Sequence, residues 1–587
     1  MKKFLILIVS ALFAFNLSAV SDTSLLQSDE TQKTYQRKAV MGLGSIGFTQ
    51  NSVNVPMAFC HIDNSKKVQS ACIPWTVKIN YPIGSGEKRK AAGTFYDWTI
   101  TNRYDKIVLN ENEASITTRG QKTSVKTEGR IPAFSSGPED LEAYTAKVEN
   151  YLNSEARSYF GALLDSALEA RYSELPEKEQ ETFMVTKAKE LGMSAEFIKP
   201  LLNSSFVFAA HVSHIGTSGR VTSVTTKVKN VVLTSFSVEM NVGVDVTFLI
   251  YRYNPETRRF ERYNTIQASS GMVTSETPAL PVLPTRELVL SLFNDALQTA
   301  IKGASINASN KLKADENFAL YAPVKSVNGS KLEINMGVVE DIRVDHPFTI
   351  YEKADGKMKK KGTARARNIA NNCKDDTKTT TLQKITGKVE EADLIEETPW
   401  SGLYFYIGPA NNAARLSSKI GMFAAPGFHL GTSIDLGYAA NSRALSEFYF
   451  DAFLSFDVKI EGEDIDNHLS IGGGIGLSKR FYTGSGGFFF GLGGLISYNG
   501  DIMSDWQYLA LTPHIQLGFT PSSSFDFIIK AGWNLGVTVI DNESDDYEQH
   551  SFNHGLYLSL DFNFQIPVIG GMARIYSKPS KACELKN

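Results

Sequence analysis

The chain has 587 residues, which is too long for one ordinary domain and predicts three or four. It contains 60 lysines and arginines against 63 aspartates and glutamates, for a formal net charge of −3. This balance lacks the basic footprint of nucleic-acid-binding proteins, so no nucleic-acid partner is predicted.

Residues 1–19 have the pattern of a secretory signal peptide. Two lysines precede a short apolar run, and Leu17-Ser18-Ala19 supplies a small-residue cleavage site. The run is short for a spanning helix, no cysteine follows the cleavage site, and no other stretch approaches about 18 uninterrupted apolar residues. We therefore expect an exported protein without a lipid anchor or a transmembrane helix. Residues 20–38 are polar and predicted to be disordered.

Residues 39–135 are predicted to form a β-rich N-terminal domain. Short alternating runs (TVKINYPI, GTFYDWTITN, KIVLNEN, ASITTRG) are separated by turn residues, as strands are. Within this region, residues 42–47 (GLGSIG) match the dinucleotide-binding fingerprint literally. The FTQNSVNVP that follows is not helical in pattern, and no βαβ unit surrounds it. We therefore expect a turn between strands here, and no cofactor.

Two of the four cysteines are predicted to be bridged. Cys60 and Cys72 flank a polar loop, and this spacing in an exported chain favours a disulfide. The alternative is a metal site, but His61 is the only nearby extra ligand, which falls short of zinc-like spacing. Cys373 and Cys583 are expected to be free thiols or, alternatively, a long-range pair.

Residues 136–308 are predicted to form one α+β domain. A long amphipathic helix starts near Leu141, and a second helical stretch is expected at 177–199. Strands follow at 206–215, 224–230 and 231–253, and a helix at 289–301 repeats apolar residues at every fourth position. His211 and His214 lie three apart in a predicted strand, so they face opposite sides and are not expected to share a metal ion.

Residues 315–398 are predicted to form a small barrel or sandwich. Runs such as SKLEINMG, PFTIYEK and GTARARNI have the length and punctuation of short strands. The basic segment 357–361 (KMKKK) is interpreted as a solvated hairpin tip. The alternative is contact with an acidic partner or with lipid head groups.

Residues 400–568 alternate in a pattern typical of an eight-stranded membrane barrel. Segment 468–500 contains glycine at more than a third of its positions, but every second residue is apolar and no helix follows, which excludes a phosphate loop. Eight such strands can be counted to 568, followed by a tail at 569–587. The bulky set is predicted to face lipid. The opposite face should line a crowded polar interior, with Gly431, Ser433, Asp435, Gly437, Gly491, Gly493, Ser497, Asp526, Lys530, Gly532 and Asn534.

The connections between these strands predict an orientation. If the N-terminal domains are periplasmic, the long connections lie outside the cell and the tight turns (AANSRA, YTGSG, TPSSS) lie inside. One outer loop carries Asp541, Glu543, Asp545, Asp546 and Glu548. These carboxylates could hold calcium, but their spacing is not that of an EF-hand, and a solvated loop is the favoured interpretation.

Two resemblances add to this interpretation. The last 185 or so residues resemble the eight-stranded outer-membrane barrel superfamily of the outer-membrane protein A-like type. The similarity includes the segment Asn553–Leu560 and Phe562 and Phe564, although the chain continues for some twenty residues beyond. Residues from about 200 to 398 are more faintly similar to the periplasmic flagellar-assembly T protein and its curli-secretion-channel relatives. The carriers are FVFAAHVSHI, SFSVEMNVGVDVTFLIYRYN, LVLSLFNDALQTAI and SKLEINMGVVEDIRVDHPFTIYEK, with Asp345-His346-Pro347 where that family usually has a glycine. The second resemblance implies a structural envelope protein without catalytic residues.

The predicted fold is therefore a multidomain one: periplasmic β-rich and α+β domains followed by an eight-stranded antiparallel transmembrane β-barrel. No nucleophile elbow, His-Glu-x-x-His pair or Walker sequence occurs, so we expect no enzyme, catalytic residue, metal or cofactor. The favoured function is an outer-membrane-anchored periplasmic scaffold or assembly protein. A small pore and a surface adhesin are the alternatives. The expected partners are outer-membrane lipid and other envelope proteins, and the sequence gives no oligomeric state.

Overall fold

The computed structural model describes residues 39–566 apart from several gaps. The larger gaps are 127–133, 158–185, 187–205, 412–426, 460–467 and 541–548, and the others span one to four residues. The predicted signal peptide, disordered segment and tail lie outside the described residues, as do Cys583, the acidic loop that begins at Asp541 and, apart from the helical Thr186, the second helical stretch.

The first half of the chain builds one twelve-stranded sheet. Its strands are β1 (Ala39–Leu43), β2 (Gly47–Phe48), β3 (Ser52–Asp63), β4 (Val68–Gln69), β5 (Ile73–Asn80), β6 (Asp105–Leu109), β7 (Glu113–Thr118), β8 (Gln121–Lys126), β9 (Phe206–Val228), β10 (Val231–Asn254), β11 (Arg259–Ser269) and β12 (Val273–Glu276). The main order is β11-β10-β9-β1-β6-β7-β8. Because β1 pairs in parallel with both β6 and β9, strands from the predicted 39–135 and 136–308 regions share this sheet.

Three helices accompany the sheet: α1 (Ser85–Thr99), α2 (Leu141–Asn150), which continues as a π-helical turn, and α3 (Arg286–Lys313). The strand predicted for GTFYDWTITN is wrong, because most of that run belongs to α1. Ala92, Phe95 and Tyr96 are buried at the three- and four-residue spacing of a helix face. Over so short a segment, helical spacing of apolar residues is hard to distinguish from the alternation of a strand, which explains the wrong prediction.

The larger core cluster lies between the sheet and the helices α1 and α3, and a second cluster packs against α2. The ring of Phe95 on α1 stacks on Phe248 of β10, with ring centroids 4.1 Å apart. Helix α3 presents a face of mostly small residues, among them Ala300 and Ala304, so it can lie close to the strands. Each large apolar side chain fully buried in this way contributes roughly 1.5–3 kcal/mol.

Residues 321–397 form a separate seven-stranded sheet, here called the lid domain. Its strands are β13 (Tyr321–Pro323), β14 (Ser326–Asn328), β15 (Lys331–Ile334), β16 (Pro347–Ala354), β17 (Lys357–Asn368), β18 (Thr380–Thr386) and β19 (Leu394–Glu397). Their order is β13-β19-β16-β17-β18-β15-β14, and all described pairings are antiparallel.

The C-terminal region is a closed antiparallel barrel of eight strands. The strands are β20 (Leu403–Ala410), β21 (Gly427–Asp435), β22 (Phe448–Lys459), β23 (His468–Tyr482), β24 (Phe488–Asp501), β25 (Trp506–Ser522), β26 (Phe525–Ile540) and β27 (Gln549–Gln565). Strand β20 pairs with both β21 and β27, which closes the barrel and leaves no free edge.

The two faces of the barrel are arranged as predicted. Outward residues such as Leu477, Leu492 and Leu517 are each more than half exposed. The inward face buries Ser433, Asp526, Lys530 and Asn534, along with other polar residues. Closure of the sheet lets each strand hydrogen-bond to both of its neighbours, as hydrocarbon requires, and the apolar exterior suits contact with lipid. The C-terminal region is an outer-membrane barrel fold.

One predicted barrel strand ends early. Strand β21 stops at Asp435, and helix α4 (Leu436–Ala440) follows, so the strand prediction is wrong for Gly437. The Asp435 carboxylate caps α4 by accepting a hydrogen bond from the Tyr438 backbone amide at 2.9 Å, and Asn441 ends the helix with a φ of 48°.

No helix among the described residues is long and apolar enough to cross a membrane.

Candidate functional site at the mouth of the barrel

The lid domain covers one end of the barrel. This end, here called the short-turn mouth, is formed by the turns at 436–447, 483–487 and 523–524. The backbone amide of Gly487 donates a hydrogen bond to the Ile385 carbonyl at 2.9 Å. The backbone amide of Val344 donates to Asn441 Oδ1 at 3.0 Å. Two different turns of the barrel are therefore held by the same domain.

Arg365 of β17 is the central contact of the short-turn mouth. Its guanidinium donates hydrogen bonds to two barrel tyrosines, to Tyr449 Oη at 2.8 Å and to Tyr404 Oη at 2.5 Å. It also lies 3.3 Å from Glu447 Oε1 and 3.6 Å from Asp435 Oδ2. The side chain is 4% exposed, so this cation is enclosed by barrel residues.

A second arginine of β17 extends the same network. Arg367 pairs with Asp345 and lies 2.6 Å from Glu447 Oε1. The Glu447 backbone amide and the Ser446 hydroxyl donate to the Asp345 carboxylate at 2.8 and 2.7 Å. Buried ion pairs of this kind fix a geometry, because removing one partner leaves an uncompensated charge.

The electrostatics of the network follow from burial and pairing. Burial would raise the pKa of Glu447, but the guanidiniums of Arg365 and Arg367 beside it hold that pKa at about 2. Burial and the neighbouring Glu447 raise the pKa of Asp345, although Arg367 opposes them. Glu447 therefore stays ionised between the two arginines.

The local sequence of β17 explains why both arginines reach the barrel. In the strand segment TARAR, Ala364 and Ala366 are buried in the lid domain. Side chains alternate along a strand, so Arg365 and Arg367 emerge together on the opposite face. Five donors in a planar fork suit arginine to several carboxylate and hydroxyl partners at once.

A second junction joins the lid domain to the twelve-stranded sheet. Arg103, which follows α1, pairs with Glu397 of β19, and both side chains are 2% exposed. Lys313 at the end of α3 lies 3.0 Å from Asp341 Oδ2. Between them, burial and the cation Arg103 lower the pKa of His346 to about 3. The sheet, the lid domain and the barrel are thus connected through successive buried contacts.

The interior of the barrel is occupied by side chains. Arg480 Nη1 lies 2.8 Å from Asp526 Oδ2, and Lys530 Nζ lies 2.9 Å from Asp561 Oδ2. A cluster of larger buried side chains also packs in this interior: Tyr406, Phe453, Leu495 and Tyr557. Eight strands leave an interior that side chains can just fill.

Some glycines of the barrel make room for these large side chains. A Cβ atom added to Gly431 would lie 2.7 Å from Tyr406 Cζ, and one added to Gly536 would lie 2.6 Å from Tyr508 Cε2. Both distances are too short for van der Waals contact. Gly431 and Gly536 are therefore interior spacers opposite aromatic rings.

Aromatic rings also surround the outside of the short-turn mouth. The pairs Phe481–Phe490 and Phe488–Phe519 have ring centroids 5.0 Å apart, and the Phe525–Phe564 pair has centroids 5.2 Å apart. Aromatic girdles mark the membrane interfaces of outer-membrane barrels. The lid domain therefore lies just beyond one edge of the apolar band.

The predicted bridge between Cys60 and Cys72 is present and joins the β3–β4 hairpin to the start of β5. The segment between them was predicted as a loop, but β3 extends to Asp63 and pairs with β4. Cys373 is also disulfide-bonded, so the free-thiol expectation for it is wrong.

The other sequence candidates are scattered. Residues 42–47 form the end of β1, a turn and the start of β2, as predicted. His211 is buried in β9, with its Nε2 2.8 Å from the Glu139 carbonyl, whereas His214 is exposed. The basic segment 357–361 lies at the start of β17, where Lys361 pairs with Asp393 at 3.0 Å. In the part of the chain that the structure describes, no three His, Cys, Asp or Glu side chains are placed to hold a metal ion.

Sequence reasoning missed the residues of the short-turn mouth. Arg365 and Glu447 are 82 positions apart, and each lies in a segment that looks like polar surface. One signal was present in the sequence: β17 begins with four lysines around Met358 but continues with two arginines between alanines. A change from lysine to arginine where small apolar residues alternate favours buried pairing over solvation.

No family model and no curated protein matches the chain. Among solved structures, it is similar to OmpT (in-vitro folded), an outer membrane protein of Vibrio cholerae, with 8% sequence identity and a TM-score of 0.13. The likeness covers 62% of this chain and 98% of that one. A TM-score this low carries no argument, and both family resemblances stay predictions.

Proposed function

We propose that the protein is a non-enzymatic scaffold or assembly protein of the cell envelope. In this proposal the barrel is an anchor in the outer membrane, and the sheet and the lid domain project into the periplasm. The observation that carries the proposal is the insertion of Arg365 into the short-turn mouth, together with the partly buried Arg367–Glu447 pair. A flexible tether would need no such contact, whereas a mounted scaffold needs a fixed orientation.

The chain of contacts supports a rigid mounting. Arg103 fixes the sheet to the lid domain, and Arg365 fixes the lid domain to the barrel. A force that a partner exerts on the sheet would therefore be transmitted to the membrane anchor through buried ion pairs. The expected partners are other envelope proteins, in line with the resemblance of residues 200–398 to periplasmic assembly proteins.

The pore alternative receives less support. A conducting barrel needs an open interior, but here paired charges and aromatic rings fill the described interior, and the lid domain covers one end. An adhesin would act through the outer loops, most of whose residues lie outside the described part of the chain.

Conductance measurements separate the anchor from the pore. Purified full-length protein in planar lipid bilayers is expected to give no stable current steps. A variant with Arg365→Met and Arg367→Met should also be silent, because it uncovers the mouth but leaves the interior filled. Reproducible steps of uniform size from the unmodified protein would establish the pore instead.

Cross-linking of intact envelopes tests the scaffold itself. Full-length protein purified after cross-linking is expected to carry envelope proteins attached within residues 39–397. Attachment confined to the outer loops of the barrel would contradict the scaffold and favour adhesion.

A further inference from the structure

Strands β9 and β10 form a long hairpin whose end extends beyond the rest of the sheet. On the β9 side, the described pairing with β3 reaches Thr225. On the β10 side it reaches Phe236, which bridges to Leu280. Past these points β9 and β10 pair only with each other in the described part of the chain, up to Val228 and Val231. Residues 226–228 and 231–235 therefore project as a two-stranded ribbon, here called the β9–β10 tip.

Large apolar side chains are exposed at the β9–β10 tip. Val231, Val232 and Leu233 begin β10, and Val282 and Leu283 follow closely after the Leu280 bridge. Each of these residues is between 56 and 64% exposed. Exposed apolar patches mark sites of contact with a protein or a membrane.

The arrangement of this apolar surface favours lipid over a protein partner. Successive side chains of a strand point to opposite sides, so Val231, Val232 and Leu233 expose apolar surface on both faces of the ribbon. A protein partner would have to enclose the ribbon to cover both faces. Lipid molecules can surround it without a shaped pocket.

The charges of this end of the hairpin are positive. Lys227 is exposed near the end of β9, and Lys229 follows in the sequence. Residues 206–238 contain no aspartate or glutamate. Pairing places one carboxylate, that of Asp63 on β3, beside the base of the ribbon, but two lysines follow it closely in the sequence. Lysines beside exposed apolar residues are typical of segments that bind anionic membrane surfaces.

The β9–β10 tip lies at the end of the sheet remote from the lid domain. Asn264, which pairs with Ile250 of β10, donates a hydrogen bond to Asp315 at 2.9 Å. Asp315 closely follows Lys313, the residue of α3 that contacts the lid domain. The strand from Val231 to Ile250 is about 60 Å long at roughly 3.3 Å per residue. This distance from the mouth that the lid domain covers favours contact with a facing membrane over the membrane that holds the barrel.

The ribbon can enter a membrane only to a shallow depth. Its outer edges carry backbone amides and carbonyls without a neighbouring strand in the described part of the chain, and such groups must stay near water or head groups. Interfacial segments enter a membrane by about 5–10 Å. Three residues of a strand span about 10 Å, so Val231, Val232 and Leu233 match this depth.

We propose that the β9–β10 tip inserts into the surface of a facing membrane that contains anionic phospholipid. The apolar side chains enter the region beneath the head groups, and Lys227 contacts the lipid phosphates. The proposal goes beyond the scaffold function and rests on it only for placing the sheet between two membranes. Tag accessibility tests that placement, whereas vesicle binding by purified protein does not depend on it, so the two can fail separately.

Flotation with vesicles tests the β9–β10 tip in the full-length protein. The barrel is first held in nanodiscs of phosphatidylcholine, so that added vesicles meet the surfaces outside the barrel. Vesicles of phosphatidylcholine with phosphatidylglycerol should carry the protein upward, and vesicles of phosphatidylcholine alone should carry much less. A variant with Val232→Ser and Leu233→Ser should bind the anionic vesicles at least tenfold more weakly, because less apolar surface leaves water.

Two further variants complete the experiment. Met272→Ser is the matched control, because Met272 is as exposed as Leu233 but lies between β11 and β12, away from the tip. It should bind vesicles as the unmodified protein does. Lys227→Gln should weaken binding to anionic vesicles about fivefold. Because Lys227 is exposed, this variant keeps the test decisive if the serine variant fails to fold.

Four results would overturn the proposal. Absence of flotation, or full affinity in the serine variant, would remove the β9–β10 tip from membrane binding. Equal flotation with and without phosphatidylglycerol would exclude recognition of anionic lipid. Loaded nanodiscs that associate with one another without vesicles, and cease to do so in the serine variant, would assign the tip to a second copy of the chain.

Discussion

Replacing Arg365 by methionine should release the lid domain from the barrel without unfolding either part. Methionine has a similar length and packs well in irregular apolar spaces, so the change removes charge and donors more than volume. It leaves Tyr404 and Tyr449 without their guanidinium partner. It also leaves the buried Glu447 with Arg367 as its remaining cation.

The expected loss can be worked from these contacts. Removing one partner of a buried ion pair costs roughly 3–5 kcal/mol when the other charge is left alone. Arg367 still lies 2.6 Å from Glu447, which favours the lower end of that range, about 3 kcal/mol. Each 1.4 kcal/mol is a tenfold change, so the ratio of docked to released lid domain should fall about a hundredfold.

Hydrogen exchange measures this ratio at single amides. The Gly487 amide is bonded to Ile385 and the Val344 amide to Asn441, so both hydrogen bonds cross the interface. Their exchange should accelerate about a hundredfold in Arg365→Met, in proportion to the released population. Amides within the barrel strands should keep their protection.

Lys359→Met is the matched control, since Lys359 lies exposed on the same strand. It should leave the exchange of Gly487 and Val344 unchanged. Unchanged exchange in Arg365→Met as well would refute the view that the buried arginine holds the lid domain. Loss of protection throughout the barrel would instead make Arg365 part of the barrel's own stability.

Three further results are expected. Replacing Cys60 and Cys72 by serine should lower the free energy of unfolding of the sheet by roughly 2–3 kcal/mol in denaturant titrations, and peptide mapping that finds both thiols free in the unmodified protein would exclude the bridge. Acidification should loosen the two junctions in different pH ranges: the pKa of His346, at the junction with the sheet, is lowered from 6.5 to about 3, and that of Glu447, at the short-turn mouth, from 4.5 to about 2, so each contribution is complete above the ordinary pKa of its group and is lost as the pH falls. Protection of the Gly487 amide, corrected for the pH dependence of intrinsic exchange, should therefore decline below pH 4.5, and a flat profile would contradict the role of Glu447. Gly431→Val should prevent barrel closure because its side chain would meet the Tyr406 ring, as judged by loss of the heat-dependent gel shift of folded barrels.

The barrel could be predicted from the sequence because each strand has a period of two over many residues. The polar set that includes Asp526, Lys530 and Asn534 indicates the interior by its alternation with bulky apolar residues, and these side chains are buried there. Glycine is a weaker sequence signal of the barrel interior, because the need for glycine depends on which side chain of the neighbouring strand faces it. Gly431 is needed because of Tyr406, which lies on the neighbouring strand.

The short-turn mouth could not be predicted, because its residues come from separate segments and meet only after folding. Asp435 was predicted to face the interior, and it does, but it also caps α4 and lies near Arg365. The strand interpretation of α1 failed for a related reason. Its apolar residues form one face of a helix, and the residue that this face packs against, Phe248, is distant in the sequence.

Accessibility of the lid domain on intact cells is the most direct test of an outer-membrane anchor with a periplasmic module. A tag at Lys357, at the start of β17, should be labelled only after the outer membrane is broken, whereas a tag between Ile540 and Gln549 should be labelled on intact cells. Labelling at Lys357 on intact cells would place the sheet and the lid domain outside, and adhesion would replace the scaffold.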